Sequence, residues 1–428
     1  MATDPVKRIR AFERETDLAL SLSATLQQLA ALPPSVEAPY LTVSLDWRPM
    51  GNDPGQRLGR QALDRLAEAT IARYWPRGTA FDSVSADLER IKTYLDDELD
   101  PATQGVVIVA CAHQGVFEPV PLDLPIETGI AVGPTPSLRQ LVHAAEDYPP
   151  YAVLVADQRN AILWLIERRT WGRVIEVKGS DYPRKQQQGG WSQRRFQSRA
   201  DERVDAFART VAAQTQRALD EEAVGDLIVA GDEIITSALD ASFHPSVKER
   251  LIGTLRLAVD ASEADVLAAT EPLIERRERE QELVAVETVR DAVGAGGRGA
   301  AGAEAVLTAL QAGQVMTLVM NDDFSQPGWV DFTFPLYGVG EPPAEHPAGG
   351  AVANLVAISL EDELVRLAVQ TGAEVDLIRT GVPAGEADAI PAADTPPPRT
   401  EAARALDELG GVGAVLRFTM NADASRSG

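Results

Sequence analysis

The residues best suited to chemistry lie in one stretch, Gln186-Gln187-Gln188-Gly189-Gly190-Trp191-Ser192-Gln193-Arg194-Arg195-Phe196. Adjacent glycines remove side-chain bulk and open backbone conformations with φ > 0, so the chain can turn tightly or pass close to a partner. Gln193 carries a neutral donor and acceptor on one group. Arg194, Arg195 and Arg199 suit phosphate oxygens, Arg184 and Lys185 form a basic approach, and Trp191 offers a face on which a base can stack. No Asp or Glu interrupts Arg184–Arg199. Two readings fit these residue types: a nucleic-acid-directed tip running into a helix, or a solvated loop before an amphipathic helix whose arginines face water.

The charge of the whole chain sharpens the contrast. The net charge is −24 over 428 residues. Residues Arg159–Arg217 hold 13 Lys/Arg against six acids, which leaves +7 there and −31 elsewhere. Such a body argues against general nucleic-acid binding and favours contact with a polyanion in one orientation. Cys111 is the single cysteine, so no intrachain disulfide can form, and four scattered histidines give no structural zinc pattern. No metal or other cofactor is expected. No apolar run approaches the ~20 residues of a membrane span, and no signal-peptide core follows the N-terminus. The expected setting is the cytoplasm.

The elements that must position the stretch follow from periodicity. Residues 1–37 predict an amphipathic helix broken at Pro33-Pro34, then a strand at Tyr40–Asp46, helices at Arg57–Arg73 and Ser85–Glu98, a buried strand at Gly105–Cys111 and a helix at Pro136–Asp147. Three strands with short turns follow, at Tyr151–Ala156, Ala161–Glu167 and Arg173–Lys178. Beyond the glycines come a helix at Phe196–Leu219, a buried strand at Asp226–Gly231, helical residues near Ile234–Leu239 and Ser246–Leu251, and a strand at Leu255–Val259. Ser262–Gly294 reads as a long charged helix kinked at Pro272.

Gly294, Gly296 and Gly299 match GxGxxG. A helix precedes them where the dinucleotide fingerprint needs a strand, so Gly294–Gly302 reads as a surface loop. The last part predicts helices at Ala303–Ala312, Ala353–Thr371 and Thr400–Leu409. Its strands are expected at Val315–Met320, Trp329–Tyr337, Glu374–Ile378 and after Gly410, with an exposed loop at Pro383–Arg399. Alternation of this kind predicts layered α/β domains, divided at 1–148, 149–292 and 293–428.

Gly189-Gly190-Trp191-Ser192-Gln193-Arg194-Arg195-Phe196 resembles the Gly-Gly-Gln-Ser-x-x-Arg-Phe signature of archaeal and eukaryotic peptide-chain release factors. The approach Tyr182-Pro183-Arg184-Lys185 and the strand Asp226–Gly231 stand in matching places. Ala303–Gly313 and Leu409–Phe418 are similar to the opening and closing of that family's C-terminal domain. Trp191 occupies the place of the family's glutamine, and Gln193 lies two residues later. That displacement resembles the Vms-type peptidyl-tRNA hydrolase branch and bacterial homologues with a Gly-Gly-x-x-Gln loop. No Asn-Ile-Lys-Ser motif occurs, so stop-codon decoding is not implied.

The resemblance implies an α/β (α+β) protein of three domains. These are an N-terminal α/β domain, an RNase H-like middle domain carrying the loop, and a C-terminal α/β/α sandwich similar to ribosomal kink-turn binders. It implies a monomer that hydrolyses the peptide–tRNA ester at the peptidyl-transferase centre of the large ribosomal subunit. Gly189, Gly190 and Gln193 would be catalytic, and Arg184, Lys185, Trp191, Arg194, Arg195 and Arg199 would hold RNA. The alternatives are a non-catalytic ribosome-binding or hibernation factor of the same superfamily, and an RNA-binding scaffold.

Overall fold

The structure is a computed structural model that describes residues 22–50, 53–74, 77–146, 150–167, 170–178, 193–295, 297–381 and 398–418. Contacts group the chain into two compact units, one formed by Asp147–Arg279 and the other by Leu20–Glu146 with Glu280–Gly428. The fold is mixed α/β throughout, as the sequence predicts.

The first unit is a five-stranded sheet. Tyr151–Ala156, Asn160–Glu167 and Thr170–Lys178 form an antiparallel meander. Asp226–Gly231 joins Tyr151–Ala156 in parallel, and Leu251–Leu255 joins Asp226–Gly231 in parallel. Numbered within the unit, the strand order is 5-4-1-2-3. Alternation along each strand divides the apolar residues between two faces. Ala152, Leu154, Leu163, Leu227 and Val229 pack with Val204, Phe207, Ala208 and Val211 of the helix Gln193–Glu221 and with Ile235 and Leu239. Tyr151, Val153, Val155, Ile166 and Ile228 pack with Val266, Leu273 and Ile274 of the helix Glu263–Gly294. Both faces are therefore covered by helices.

In the second unit, Val116–Leu122, Gly105–Cys111, Tyr40–Asp46 and Gly129–Gly133 form an antiparallel sheet in that order. Leu58–Ala72 and Thr79–Asp97 cover one face through Leu63, Ala67, Leu88, Ile91 and Leu95. A second sheet orders Gly299–Ala301, Val412–Leu416, Val315–Asn321 and Glu374–Ile378. Val286 and Val289 of the long helix and Ala402, Ala403 and Leu406 pack against Val319 and Ile378 on one of its faces. A third sheet is made of Leu336–Val339, Pro327–Asp331 and Leu355–Ser359.

The helix Leu360–Gln370 is buried on all sides, nine of its eleven residues being inaccessible. It is tied to residues 22–146 by polar contacts. Arg366 pairs with Glu363 and donates to the carbonyl of Ala30 (3.3 Å) and to Tyr337 Oη (3.3 Å). Thr135 donates to Glu363 (3.2 Å), Ser137 to Asp362 (2.7 Å), and Gln27 to the carbonyl of Val369 (2.7 Å). Arg139 reaches the carbonyl of Asp322.

Several element boundaries differ from expectation for identifiable reasons. Val116–Leu122 contains Pro119 and Pro121, which argue against a strand; it pairs with one neighbour only, and an edge tolerates missing donors. Gly129–Gly133, at the opposite edge, is short and bounded by glycines. Leu355–Ser359 is a strand rather than the start of a helix from Ala353, because a short apolar run fits either period and pairing to Pro327–Asp331 decides it. Trp329–Tyr337 is two strands around a turn at Asp331–Phe334.

The helix expected over Ser246–Leu251 ends at Lys248, and the strand expected at Leu255–Val259 lies at Leu251–Leu255. The helix expected from Ser85 starts at Thr79. Gly299–Ala301, expected in a surface loop, pairs with Val412–Leu416. A Cβ on Gly299 would sit 2.4 Å from the backbone nitrogen of Val293, so glycine is what allows that close approach. Of the helix predicted over 1–37, residues 22–30 are described and helical. Most of the Pro383–Arg399 loop lies outside the described residues.

Candidate functional site

Arg184, Lys185, Gly189, Gly190 and Trp191 lie outside the described residues, which do include the two elements that hold the stretch. The chain leaves the sheet at Lys178, the end of its edge strand, which is paired opposite Asn160. The helix Gln193–Glu221 begins at Gln193. The helix therefore begins three residues earlier than Phe196, the start read from periodicity.

Gln193, Arg194 and Arg195 form the first helical turn, where backbone amides have no partner within the helix and the macrodipole is positive. The turn carries no acid. Val204 and Val211 of this helix face the sheet. Val204 is the first described helix residue in the core. It lies eleven positions, or about 16 Å of helix, beyond Gln193. A helix of 29 residues is about 43 Å long, against roughly 20 Å for a six-residue strand.

Lys178, opposite Asn160, ends its strand on the side of the sheet at which the parallel strands finish with Ala156, Gly231 and Leu255. Carboxyl ends of parallel strands are where open α/β sheets receive ligands. Here Gly231 lets two strands and a helix converge: a Cβ would meet the Ala156 carbonyl at 2.3 Å and Ile235 Cγ2 at 2.9 Å. Asp157 closes the adjoining turn by accepting from the amides of Arg159 and Asn160 (both 2.6 Å). Asp232 caps the next helix by accepting from Ile234 and Ile235 (2.9 and 3.0 Å), and Gln158 donates to its other oxygen at 3.4 Å. A recess of about 570 Å³ opens beside them, lined by Asp232, Glu233, Ile234, Arg256 and Leu257.

Both aspartates are occupied by backbone amides, which makes them turn and cap residues. Among the described residues, no three His, Cys, Asp or Glu side chains are grouped to hold a metal ion. The sequence reading did not single out Asp232 or Arg256. Gly231-Asp232 ahead of a helix was an available cap signal, whereas nothing in the sequence brings Arg256 to the same end of the sheet.

Chemically, then, the described frame offers a basic first helical turn that opens on one neutral amide residue, Gln193. No helix among the described residues is long and apolar enough to cross a membrane.

Residues 136–275 match the family described as Bacterial archaeo-eukaryotic release factor family 10, so this part of the chain is of the release-factor superfamily. No curated protein matches the sequence. Among solved structures, Archaeoglobus fulgidus Pelota is 15% identical over 74% of this chain and 80% of its own, with a TM-score of 0.35. Saccharomyces cerevisiae Dom34, described as a translation termination-like factor involved in RNA quality control, is 10% identical over 74% and 80%, with a TM-score of 0.36. The archaeal translation termination factor aRF1 is 16% identical over 94% and 98%, with a TM-score of 0.25. Scores this low add no argument to the family match.

Proposed function

We propose that this protein works at the ribosome as a release-factor-like peptidyl-tRNA hydrolase, in rescue rather than in stop-codon-directed termination. One observation carries the reading: the Gly-Gly-x-x-Gln stretch runs into the basic first turn of the Gln193–Glu221 helix, inside the segment that matches a release-factor family.

In this reading the middle part, residues 149–292, inserts the loop into the peptidyl-transferase centre of the large subunit. Gly189 and Gly190 allow close passage between RNA walls. Gln193 holds a water against the ester that joins peptide to tRNA; positioning alone contributes several kcal/mol. The free amides of the first helical turn lie next to the developing oxyanion and favour it electrostatically. Arg184, Lys185, Arg194, Arg195 and Arg199 grip rRNA or tRNA phosphates, and Trp191 stacks on a base. No metal or cofactor takes part. Residues 1–148 and 293–428 form the flanking domains of a cytoplasmic monomer. The Vms-type comparison belongs to this proposal and rests on the displaced glutamine.

Single-turnover peptide release from stalled ribosome–peptidyl-tRNA complexes tests it. Gln193→Ala should slow release by about 100-fold, the cost of losing near-attack positioning, while co-sedimentation with ribosomes persists. Equal rates would remove Gln193 from the mechanism.

A second reading is favoured by Trp191 in the place of the family's glutamine and by the helical backbone at Gln193, which keeps that residue out of the loop proper. There the protein binds ribosomes without releasing peptide. Ribosome binding with no release from whole ribosomes or isolated large subunits would decide for it.

A further inference from the structure

The strand Leu355–Ser359 lies at one edge of the three-stranded sheet and pairs with Pro327–Asp331 alone. The other edge, Leu336–Val339, packs beside the helix Ala303–Gln311. None of residues 351–359 is buried, and Ala357 and Ser359 are exposed. Sheet edges are ordinarily blunted by charge, proline or a bulge. Val116–Leu122, also an edge, carries Glu118, Pro119 and Pro121. Leu355–Ser359 has none of these, and Pro347–Leu360 contains no charged residue in a chain of net charge −24.

The register fixes which main-chain groups of the strand point outward. The Leu360 amide donates to the Gln326 carbonyl at 3.1 Å. Hydrogen-bonded positions alternate along an antiparallel pair, so Ile358 and Val356 bond inward to Gly328 and Val330. Leu355, Ala357 and Ser359 therefore turn their amides and carbonyls away from the sheet. Two of these six groups are already engaged. The Leu355 amide donates to the Val352 carbonyl, and Ser359, the N-cap of Leu360–Gln370, gives its carbonyl to the first turn of that helix. The rest have no main-chain partner among the described residues: the carbonyl of Leu355, both groups of Ala357 and the amide of Ser359.

Those groups form a self-complementary set. Around a two-fold axis at Ala357, the Ala357 amide and carbonyl of one copy meet the Ala357 carbonyl and amide of the other. The Ser359 amide of each copy meets the Leu355 carbonyl of the other. A full ladder would add bonds from the Leu355 amide to the Ser359 carbonyl, and those are the groups already engaged at both ends. An unrelated strand would set its own acceptor and donor against them and leave both unpaired, at a cost. The side chains agree. Ala357 faces itself, Leu355 faces Ser359, and Val356 faces Ile358, a β-branched cross-strand pair made twice. We propose that Leu355–Ser359 is a self-association edge: a second copy of this chain adds its own strand antiparallel, and two three-stranded sheets become one continuous sheet. The contact is isologous and closes on itself. It is also small, so the pair is reversible. It concerns the free protein, whereas the reading above concerns the chain on the ribosome, and each can fail without the other.

Sedimentation equilibrium of the full chain over a wide concentration range should show monomer and dimer in exchange. Both copies carry a charge of −24, so added salt should tighten the pair. Ala357→Pro removes an outward-pointing amide, a change that a sheet edge tolerates. It should weaken association at least ten-fold and leave the melting temperature unchanged. Ala357→Lys, which sets like charges against each other across the axis, should weaken it similarly without altering the backbone. Cysteine pairing reads the register. Cα atoms of a hydrogen-bonded antiparallel pair lie about 5.5 Å apart, within the span of a disulfide, and the native Cys111 is buried. Ala357→Cys should form a disulfide-linked dimer under mild oxidation. Ser359→Cys should not link to itself and should link to Leu355→Cys when the two are mixed. A monomer at every concentration and salt, association unchanged by Ala357→Lys, or equal self-linking at positions 357 and 359 would each overturn the proposal. So would linking of Ala357→Cys in cells to another protein and not to itself.

Discussion

Replacing Arg366 by Met interrogates the contact that makes residues 22–146 and 280–418 parts of one unit. The methionine keeps most of the buried stem and removes the guanidinium. Glu363, 1% exposed, then keeps the neutral Thr135 and Tyr337 hydroxyls and loses its counter-charge, and Tyr337 Oη loses its donor. Removing one partner of a buried ion pair costs about 3–5 kcal/mol. For a unit this large, each kcal/mol is worth about 2 °C in melting temperature. Calorimetry should therefore show the transition of this unit falling by about 6–10 °C.

The location of the loss is as diagnostic as its size. Hydrogen exchange should accelerate in peptides covering 22–30 and 360–370 together, because Arg366 and Gln370 both donate to the Ala30 carbonyl. The double variant Arg366→Met/Glu363→Leu should recover most of the loss, since an apolar replacement for a buried pair is close to neutral. A shift below about 2 °C for Arg366→Met would mean that the pair contributes less than ~1 kcal/mol. A double variant as unstable as the sum of the singles would mean the residues are uncoupled. Either result would refute the argument that this clamp joins the two parts.

Asp87 should make stability depend on pH. Burial pushes its carboxyl up to about 6, against lowering contributions from the Ala112 amide and Ser83, and one carboxylate oxygen is buried without a hydrogen-bond partner. A raised acid binds its proton more tightly folded than unfolded, so its contribution is intact below the unfolded value near 3.8 and is lost as pH rises through about 6. The melting temperature of Asp87→Asn minus that of wild type should therefore increase from pH 5 to pH 8; a difference that does not vary with pH would count against the burial argument. Gly338→Ala should destabilise the three-stranded sheet by about 1–3 kcal/mol through overpacking, because its Cβ would lie 2.2 Å from the Trp329 ring. Urea denaturation gives the value, and a neutral effect would show that the Trp329 ring can move aside.

How far the sequence is legible follows from which signals are local. Asp226–Gly231 is read to the residue, because the apolar run Leu227–Ala230 is too short for a helix and is closed on both sides by glycine, Gly225 and Gly231. Strands that depend on their neighbours are not read. Val116–Leu122 exists because Gly105–Cys111 offers it an edge, and Leu355–Ser359 because Pro327–Asp331 does. The union of residues 22–146 with 280–418 is equally invisible, since Glu363 and Arg366 look like an ordinary exposed pair spaced i,i+3 until the helix around them is found buried.

The same contrast governs the candidate site. Its residue types are legible because glycine, glutamine and arginine each carry their chemistry locally. The start of the following helix is not, because Gln193, Arg194 and Arg195 supply no apolar position from which a period could be counted. Phe196 is the first residue that periodicity can register, whereas the backbone is already helical at Gln193. That shift of three residues changes the question asked of Gln193. A glutamine in a flexible loop must be ordered by its target, whereas one in the first turn of a 29-residue helix has its backbone fixed beforehand. Fixing it in advance removes an ordering cost from any transition state it serves. It also means that reaching a substrate depends on how far the Lys178–Gln193 connection lets the end of the helix advance. Lengthening that connection by two glycines on the Lys178 side of Arg184 should therefore preserve ribosome binding and lower the peptide-release rate if the helix end must be placed accurately. An unchanged rate would assign the positioning to the ribosome instead.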